Sequence, residues 1–508
     1  MATSTTETEI KYDAPDDAVL PRFEELPQVA ATEQANAELL EARYFDTADF
    51  RLIRAGITLR RRTGGHDAGW HLKMPAGVHT RREIRLPLGA DDLEVPAELA
   101  ERVKVYTRGE PIRPAAVITT TRQRLMLLGG QGDSLAELAL DEVRSRRADG
   151  GSAASSWREV EFELTGGDTA LLEAADRLLR HSGLRHSASS AKFERAIGIE
   201  PAARPGQNRA GLSPASPAAE VIIGYLSQHA EAVKALDPAA RASEPDAVHQ
   251  MRIETRQLRS TVQSFGPIIW AAGTGRVAAD LKWLGAVLGA ARDAEVLAGH
   301  LEAALDDTPA EQVIGPVQAR VRGHFAPVAA DAREAMRAAL DSHRYFALLD
   351  GLDALVAEPV LTPAAARPAR DVLVPAVRRA YRRTRKRIRR AERTPAGQRR
   401  NVALHEARKA AKRARYAAEA VSPAMGKPAG RLAARLRKVQ SQLGDHQDAV
   451  IARRVERELS VDATLAGENA FSYGLLYQRD VDAGAQAAAK ALRTWAATDR
   501  PKYRRWLG

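Results

Sequence analysis

The sequence predicts an α+β protein of two domains: an antiparallel β half able to close into a barrel, then an all-α half. Three observations predict it. From Glu7 to about Glu200 the residues alternate with a period of two, in short runs separated by Gly, Pro and Asp. From about Ala218 onward the chain turns to long Ala/Leu/Arg/Glu-rich stretches with few β-branched residues, which is helix composition. Between them Pro201 to Pro217 gathers Pro, Gly, Ser and Asn, the texture of a linker. The expected boundaries are 1–200, a linker at 201–217, and 218–508. A chain of 508 residues is in any case more than one core usually serves.

The strand half comes first. Its clearest runs are Glu7-Thr-Glu-Ile-Lys11, Ile57-Thr-Leu-Arg-Arg-Arg62, Gly69-Trp-His-Leu-Lys-Met74, Glu83-Ile-Arg-Leu86, Leu138-Ala-Leu140 and Glu159-Val-Glu-Phe-Glu-Leu164. A helix with an apolar stripe is expected from Thr169 to Ser182. The polar face of the strands is too rich in charge of both signs to be plain solvent face. Glu7, Glu9 and Lys11 share one face, as do Arg60 and Arg62, His71 and Lys73, Arg81 and Glu83, and Arg122 and Arg124. Glu159, Glu161 and Glu163 share another, and Asp141 shares the face of Glu137. Turned into a barrel, the Arg and Lys would repel one another without an anion, and the carboxylates would need a cation. A triphosphate carrying Mg²⁺ or Mn²⁺ meets both needs. Arg offers a planar fork to phosphate oxygens and Lys a compact charge. Clustered carboxylates are hard oxygen ligands for such a metal. Metal and basic groups together neutralise a transferring phosphoryl group while a held water attacks in line.

The helical half is divided by Pro-rich breaks near Thr308, at Leu361 to Pro368 and at Ser422 to Pro428, and it contains a repeat. His249 is followed by Arg252, Arg256 and Arg259; His405 is followed at the same offsets by Arg408, Lys412 and Arg415. Leu288-Gly289 precedes Asp293, and Leu443-Gly444 precedes Asp448. Two copies of one helical unit explain this. At 100° per residue each basic set falls within about 80° of its histidine, a narrow stripe. Such stripes are phosphate donors, the histidines helping most at lower pH. Asp293 and Asp448 are too few for a metal cage and are expected to orient Arg or His, or to cap a turn.

Net charge is +11 and the isoelectric point about 9.9, which points to polyanionic partners. The charge is concentrated: 371–415 holds 17 Lys/Arg against 3 acidic residues. Absence of cysteine excludes disulfides, thiolate metal sites and cysteine nucleophiles. Aromatics at 5% argue against nucleic acid, since single strands are usually gripped by base stacking. Met1 to Tyr12 is polar and acidic, unlike a signal peptide, and no apolar run reaches about 18 residues. The expected setting is soluble and cytoplasmic, without a membrane partner, with association to polyphosphate granules as an extension of that reading.

Glu7-x-Glu9-x-Lys11 resembles the ExExK signature of the CYTH domain, the triphosphate tunnel metalloenzymes. Tyr44-Phe45-Asp46-Thr47, Arg60-x-Arg62, Lys73, Arg81-x-Glu83, Arg122-x-Arg124, Glu137 to Asp141, Glu159-x-Glu161-x-Glu163 and Ser190-x-Lys192 follow in that family's order. The resemblance implies an eight-stranded antiparallel tunnel with helices. In it Arg60, Arg62, Lys73, Arg81, Arg122, Arg124 and Lys192 would hold triphosphate. Glu7, Glu9, Asp141, Glu159, Glu161 and Glu163 would hold or lie near the metal, and Glu7, Glu9 and Lys11 would serve catalysis. The second half resembles the CHAD domain through His249-x-x-Arg252, Arg292-Asp293, His405-x-x-Arg408-Lys409 and Asp445-His446-x-Asp448. That implies an all-helical domain of two pseudo-symmetric repeats around a basic channel that binds inorganic polyphosphate. Arg292, Lys409 and His446 join the stripe residues as expected contacts. The expected function is metal-dependent hydrolysis of inorganic or a related triphosphate in the first half, with polyphosphate binding by the second. A protein whose two halves only bind is the alternative, then an RNA 5′-triphosphatase or an adenylate cyclase.

Overall fold

The computed structural model describes residues 3–15, 17–77, 79–89, 94–148, 150, 154–189, 191–199, 211–271 and 273–508. Ser190 and most of the expected linker, 201–210, lie outside the described residues. The chain divides into two compact units, 1–203 and 204–508.

The first unit runs β1 (Thr3–Ala14), β2 (Ala31–Gln34), β3 (Glu38–Asp46), α1 (Arg51–Arg54), β4 (Thr58–Thr63), β5 (Gly69–Pro75), β6 (Thr80–Leu86), α2 (Ala97–Thr107) and β7 (Arg113–Leu128). It continues through β8 (Ser134–Arg147), β9 (Ser155–Leu164), α3 (Thr169–His181), β10 (Arg185–His186) and α4 (Lys192–Ile197). Eight strands, in the order β1-β6-β5-β4-β3-β7-β8-β9, close into an antiparallel barrel when β9 pairs back to β1. β2 and β10 are short additions on β7 and β1.

The apolar positions of the strands explain the barrel's polar interior, because they face outward onto helices. Tyr12, Leu138, Val160 and Phe162 pack with Leu171, Ala175 and Leu179 of α3. Phe45, Leu59, Trp70, Leu72 and Ile84 pack with Leu99 and Val103 of α2. With both apolar layers outside the wall, the alternate residues of every strand are left to line the lumen. One mouth is closed by α4. Its Phe193 stacks on Tyr44 with ring centroids 5.0 Å apart and joins Ala42, Ile118, Val143 and Trp157, which lie on the inward parity of their strands. Asp46 is buried and accepts the backbone N–H groups of Thr47, Leu52 and Ile53 at 2.7–3.0 Å. It thereby fixes the turn from β3 into α1.

The second unit is helical: α5 (Ala218–Arg241), α6 (Ala247–Ile269), α7 (Thr274–Asp306), α8 (Val317–Leu340), α9 (His343–Ala357), α10 (Ala369–Arg393), α11 (Gln398–Met425), α12 (Lys427–Leu465), α13 (Phe471–Thr498) and the single turn α14 (Pro501–Arg504). The repeat falls on α6–α7 and α11–α12, and α6 also packs on α11. The chain break expected at Ser422 to Pro428 occurs at Gly426, whose φ of +65° only glycine adopts freely; Pro423 stays within α11. Among the described residues no helix is long and apolar enough to cross a membrane.

Candidate active site and anion-binding stripes

The barrel encloses a cavity of about 160 Å³ lined by nine Lys/Arg and seven Asp/Glu side chains. Strand register sets the pattern. Glu9 stands across from Glu163, and Glu163 across from Glu137, so three carboxylates form one row over β1, β9 and β8. Like charges placed directly opposite repel. One turn of the pleat further, Lys11 stands across from Glu161. Beyond it Glu159, Asp141, Arg122 and Glu38 form a row of mixed sign.

Within this lattice the carboxylates fall into two groups. Asp141, Glu159 and Glu161 bring oxygens within 4.8 Å of one another, a grouping able to hold a metal ion. The Lys192 ammonium from α4 lies among them, 2.8 Å from Asp141, 2.7 Å from Glu159 and 2.7 Å from Glu161. Burial opposes the lysine's charge, but Asp141, Glu159 and Glu161 outweigh it and raise Lys192 well above its usual value. Arg122 clamps the same group, reaching Asp141 at 2.8 and 2.6 Å and Glu161 at 2.5 Å. Asp141 and Glu159 do not line the cavity; Glu161 does.

The second group, Glu7, Glu9 and Glu163, lines the cavity. Lys73 donates to Glu7 at 2.5 Å, and Lys11 lies 3.5 Å from Glu9 while bonding Glu161. Burial first, then the neighbouring Glu83, leaves Glu7 above the carboxylate range, whereas Lys11 and Lys73 overcome burial and hold Glu9 below it. Glu163 has no ion-pair or hydrogen-bond partner among the described residues. Burial, and after it Glu7, push it up to about 7. An unpaired carboxylate facing other carboxylates in an enclosed site fits a divalent cation, with Glu161 between the two groups.

The basic side of the cavity is also incomplete. The Nε atoms of Arg60, Arg62 and Arg124 are buried without hydrogen-bond partners among the described residues. Arg60 donates to Tyr44 at 3.2 Å, Arg62 to Asp67 at 2.5 Å and Arg124 to Glu38 at 2.6 Å. Burial, then Arg60 and Arg122, lower even the Arg62 guanidinium to about 10. Arg81 lines the same cavity, its Nε 4.0 Å from Glu9. Three further lining residues were not singled out by pattern reading: Tyr44 was visible only as part of a motif, Arg85 shares the face of Arg81 and Glu83 on β6, and Asp67 stands in the loop between β4 and β5, outside any alternating run. Glu83, fully buried, is held by His71, Lys73 and Arg85 and falls well below its usual value.

In the helical unit the two stripes meet where α6 packs on α11. Burial, then Arg256, Arg408 and Arg252, push Lys412 down to about 6, and burial with Arg252 lowers Arg256. Cations from both repeats thus press on one another. The Nε atoms of Arg252, Arg259 and Arg408 are buried without hydrogen-bond partners among the described residues, while Arg415 Nε lies 3.3 Å from Glu419. Each repeat seats its first arginine over a glycine: a Cβ on Gly289 would stand 3.5 Å from Arg252 Nη2, and one on Gly444 3.4 Å from Arg408 Nε. Asp293 accepts from Arg252 at 2.7 Å, and His405 Nδ1 meets Gln447 Oε1 at 2.8 Å. Gln447 holds the place that Arg292 takes in the first copy, where Arg292 pairs instead with Glu295 at 3.2 Å. His249 is half-buried at the head of its stripe. Two expected contacts lie apart. Lys409 is exposed and paired with Glu406 at 2.8 Å. His446 is buried against α13, its Nδ1 2.8 Å from the Gly484 carbonyl, because it lies 200° around α12 from Asp448.

With this geometry in place, the chain matches the CYTH domain over residues 5–196 and the CHAD domain over residues 224–456. It is 39% identical over 490 residues to a protein of Mycobacterium tuberculosis described only as uncharacterized, covering 94% of this chain and 93% of that one. Among solved structures, PptA from Streptomyces chartreusis is 20% identical over 55% of this chain and all of that one, with a TM-score of 0.46. The CHAD domain of Ricinus communis is 24% identical over 59% of this chain and 94% of that one, with a TM-score of 0.44. The chain belongs to the family of proteins in which a CYTH domain, a triphosphate tunnel metalloenzyme domain, is followed by a CHAD domain.

Proposed function

We propose that the barrel hydrolyses inorganic triphosphate, or a related short triphosphate, with Mg²⁺ or Mn²⁺, and that the helical unit holds inorganic polyphosphate without cutting it. The observation that carries the first part is the pairing, in one enclosed cavity, of unsatisfied guanidinium N–H groups with the unpaired Glu163 carboxylate. An anion alone would leave Glu163 facing Glu7 and Glu9; a cation alone would leave the arginines unsatisfied.

Glu7, Glu9, Glu163 and Glu161 are the residues that would hold the metal, which when bound supplies charge neutralisation and polarisation of phosphoryl oxygens. Arg60, Arg62, Arg124 and Arg81 bind and orient the phosphates, and their spread around the wall suits a chain rather than a single anion. Lys11 and Lys73 favour the charged form of Glu9, and Lys73 orients the Glu7 carboxylate by donating to it. Lys192 and Arg122 neutralise the deep Asp141/Glu159/Glu161 group, so those carboxylates do not repel the anion at that end of the cavity.

The helical unit supports binding alone. Arg252, Arg256, Arg408 and Lys412 converge with only Asp293 and Asp448 near them, and among the described residues no grouping of acidic side chains in this unit is close enough to hold a metal, so the stripes can grip a polyanion without cutting it. Incubation with tripolyphosphate and Mn²⁺ tests the proposal. The wild type releases phosphate and Glu163→Gln does so at least tenfold more slowly; equal release by both, or none by the wild type, contradicts it.

A further inference from the structure

Beyond the stripes, the helical unit carries a dense run of exposed cations on one face of α10. Arg379, Arg382, Arg383, Lys386, Arg390 and Arg393 are all exposed. At 100° per residue they fall within an arc of about 100°, and the face runs about 21 Å along the helix. None of the six has an ion-pair or hydrogen-bond partner for its side chain among the described residues, whereas Arg385, on another side of the helix, pairs with Asp499 at 3.0 Å. Like charges three and four residues apart destabilise a helix. This face therefore carries a repulsion that no ion pair among the described residues relieves, the helix C-terminus favouring only Arg390 and Arg393 in the last turn.

The opposite side of α10 decides what kind of anion fits. Val377, Ala380, Tyr381, Thr384, Ile388 and Ala391 are buried in the bundle. A basic amphipathic helix that works on membranes needs its apolar face free to insert, and here that face is already covered. A soluble polyanion lying along the surface fits better than a lipid bilayer.

The face is also continuous with the stripes. Arg413 of α11 donates to Gln263 of α6 at 3.4 Å. Burial, then Arg383 of α10 and Arg259 of the first stripe, lower the Arg413 guanidinium. Cations thus follow one another from Arg256 and Lys412 through Arg259 and Arg413 to Arg383, and from there along α10.

We infer that the exposed face of α10 is an outer track for the same polyphosphate chain that occupies the stripes, so that the protein favours long chains over short ones. This rests on the reading of the helical unit as a polyphosphate binder. Continuity with the stripes favours one unbranched phosphate polymer over a nucleic acid, whose bases would find no exposed aromatic partner on this face.

The test measures binding of length-fractionated polyphosphate by the full chain, with divalent metal withheld. The variant combines Arg379→Gln, Arg383→Gln, Lys386→Gln and Arg390→Gln, all at exposed positions with good helix formers. Long chains are expected to bind the wild type at least tenfold more tightly than chains that only fill the stripes. The variant should lose that preference while keeping its short-chain affinity. Removing four cations should lower the slope of log affinity against log salt by about three for long chains only. A variant that binds long chains like the wild type overturns the inference. So does one that loses both lengths equally, or one that loses RNA of matched charge but keeps long polyphosphate. A wild type that binds neither length overturns the underlying polyphosphate reading as well, a result visible without the variant.

Discussion

The Arg408 guanidinium lies over Gly444, with its Nε 3.4 Å from where a Cβ on that residue would stand. The glycine gives the side chain a flat seat on α12, and the same arrangement recurs between Arg252 and Gly289 on α7. A methyl group just fits there; a larger side chain does not. Gly444→Ala should therefore keep polyphosphate affinity and gain about 0.5–1 kcal/mol of stability from helix propensity. Gly444→Leu should leave the bundle folded but weaken polyphosphate binding about tenfold by displacing Arg408. Titration with polyphosphate beside thermal unfolding separates the two effects.

Lys412 is pushed from its usual 10.5 to about 6 by burial and by Arg256, Arg408 and Arg252. Near pH 7.5 it is mostly neutral in the free protein, and a polyanion laid on the stripes favours its charged form. Binding should then take up close to one proton at that pH and grow tighter as pH falls toward 6. Calorimetry in buffers of different ionisation enthalpy reads the uptake, which Lys412→Met should abolish.

Glu163 is pushed up to about 7, so protons and a divalent cation compete for it. Its raised value also means that the fold is favoured below its ordinary range and loses that contribution as pH rises through about 7. Mn²⁺ should bind more tightly at pH 8 than at pH 6 and recover stability in that window. Glu163→Gln should flatten the pH dependence of Mn²⁺ affinity, measured by the relaxation of water protons rather than by turnover.

Lys192 neutralises three buried carboxylates from α4, a helix of only six residues. Lys192→Met would leave Asp141 and Glu161 with Arg122 and Lys11, and Glu159 with only the Trp157 indole N–H, as their remaining partners among the described residues. A loss of about 3–5 kcal/mol is expected in the first unit, as for other broken buried pairs. Chemical unfolding should show it in the transition of the barrel, with the helical transition unchanged.

Much of this was legible in the sequence because alternation and spacing are one-dimensional signals. Glu7, Glu9 and Lys11 had to share a face of β1, and the matched offsets after His249 and His405 had to form two stripes. What alternation cannot supply is which strand lies beside which. The row Glu9–Glu163–Glu137 and the capture of Lys192 by the Asp141 group both depend on register between segments far apart in the chain. The same limit hid Asp67, in the loop between β4 and β5, and it put His446 beside its motif neighbours when α12 turns it toward Gly484. Short α4 left no periodic trace, and β3 was visible only through the Tyr44 to Thr47 motif.

The central claim is a division of labour: the barrel cuts a short phosphate chain and the helical unit holds a long one. Two variants of the full chain, Glu163→Gln and Arg252→Ala with Arg408→Ala, should each be measured for phosphate release from tripolyphosphate with Mn²⁺ and for affinity toward long polyphosphate. The account predicts a crossed result, with the first variant losing release and keeping affinity, and the second losing affinity and keeping release. Loss of both properties in either variant, or loss of neither in both, would contradict it.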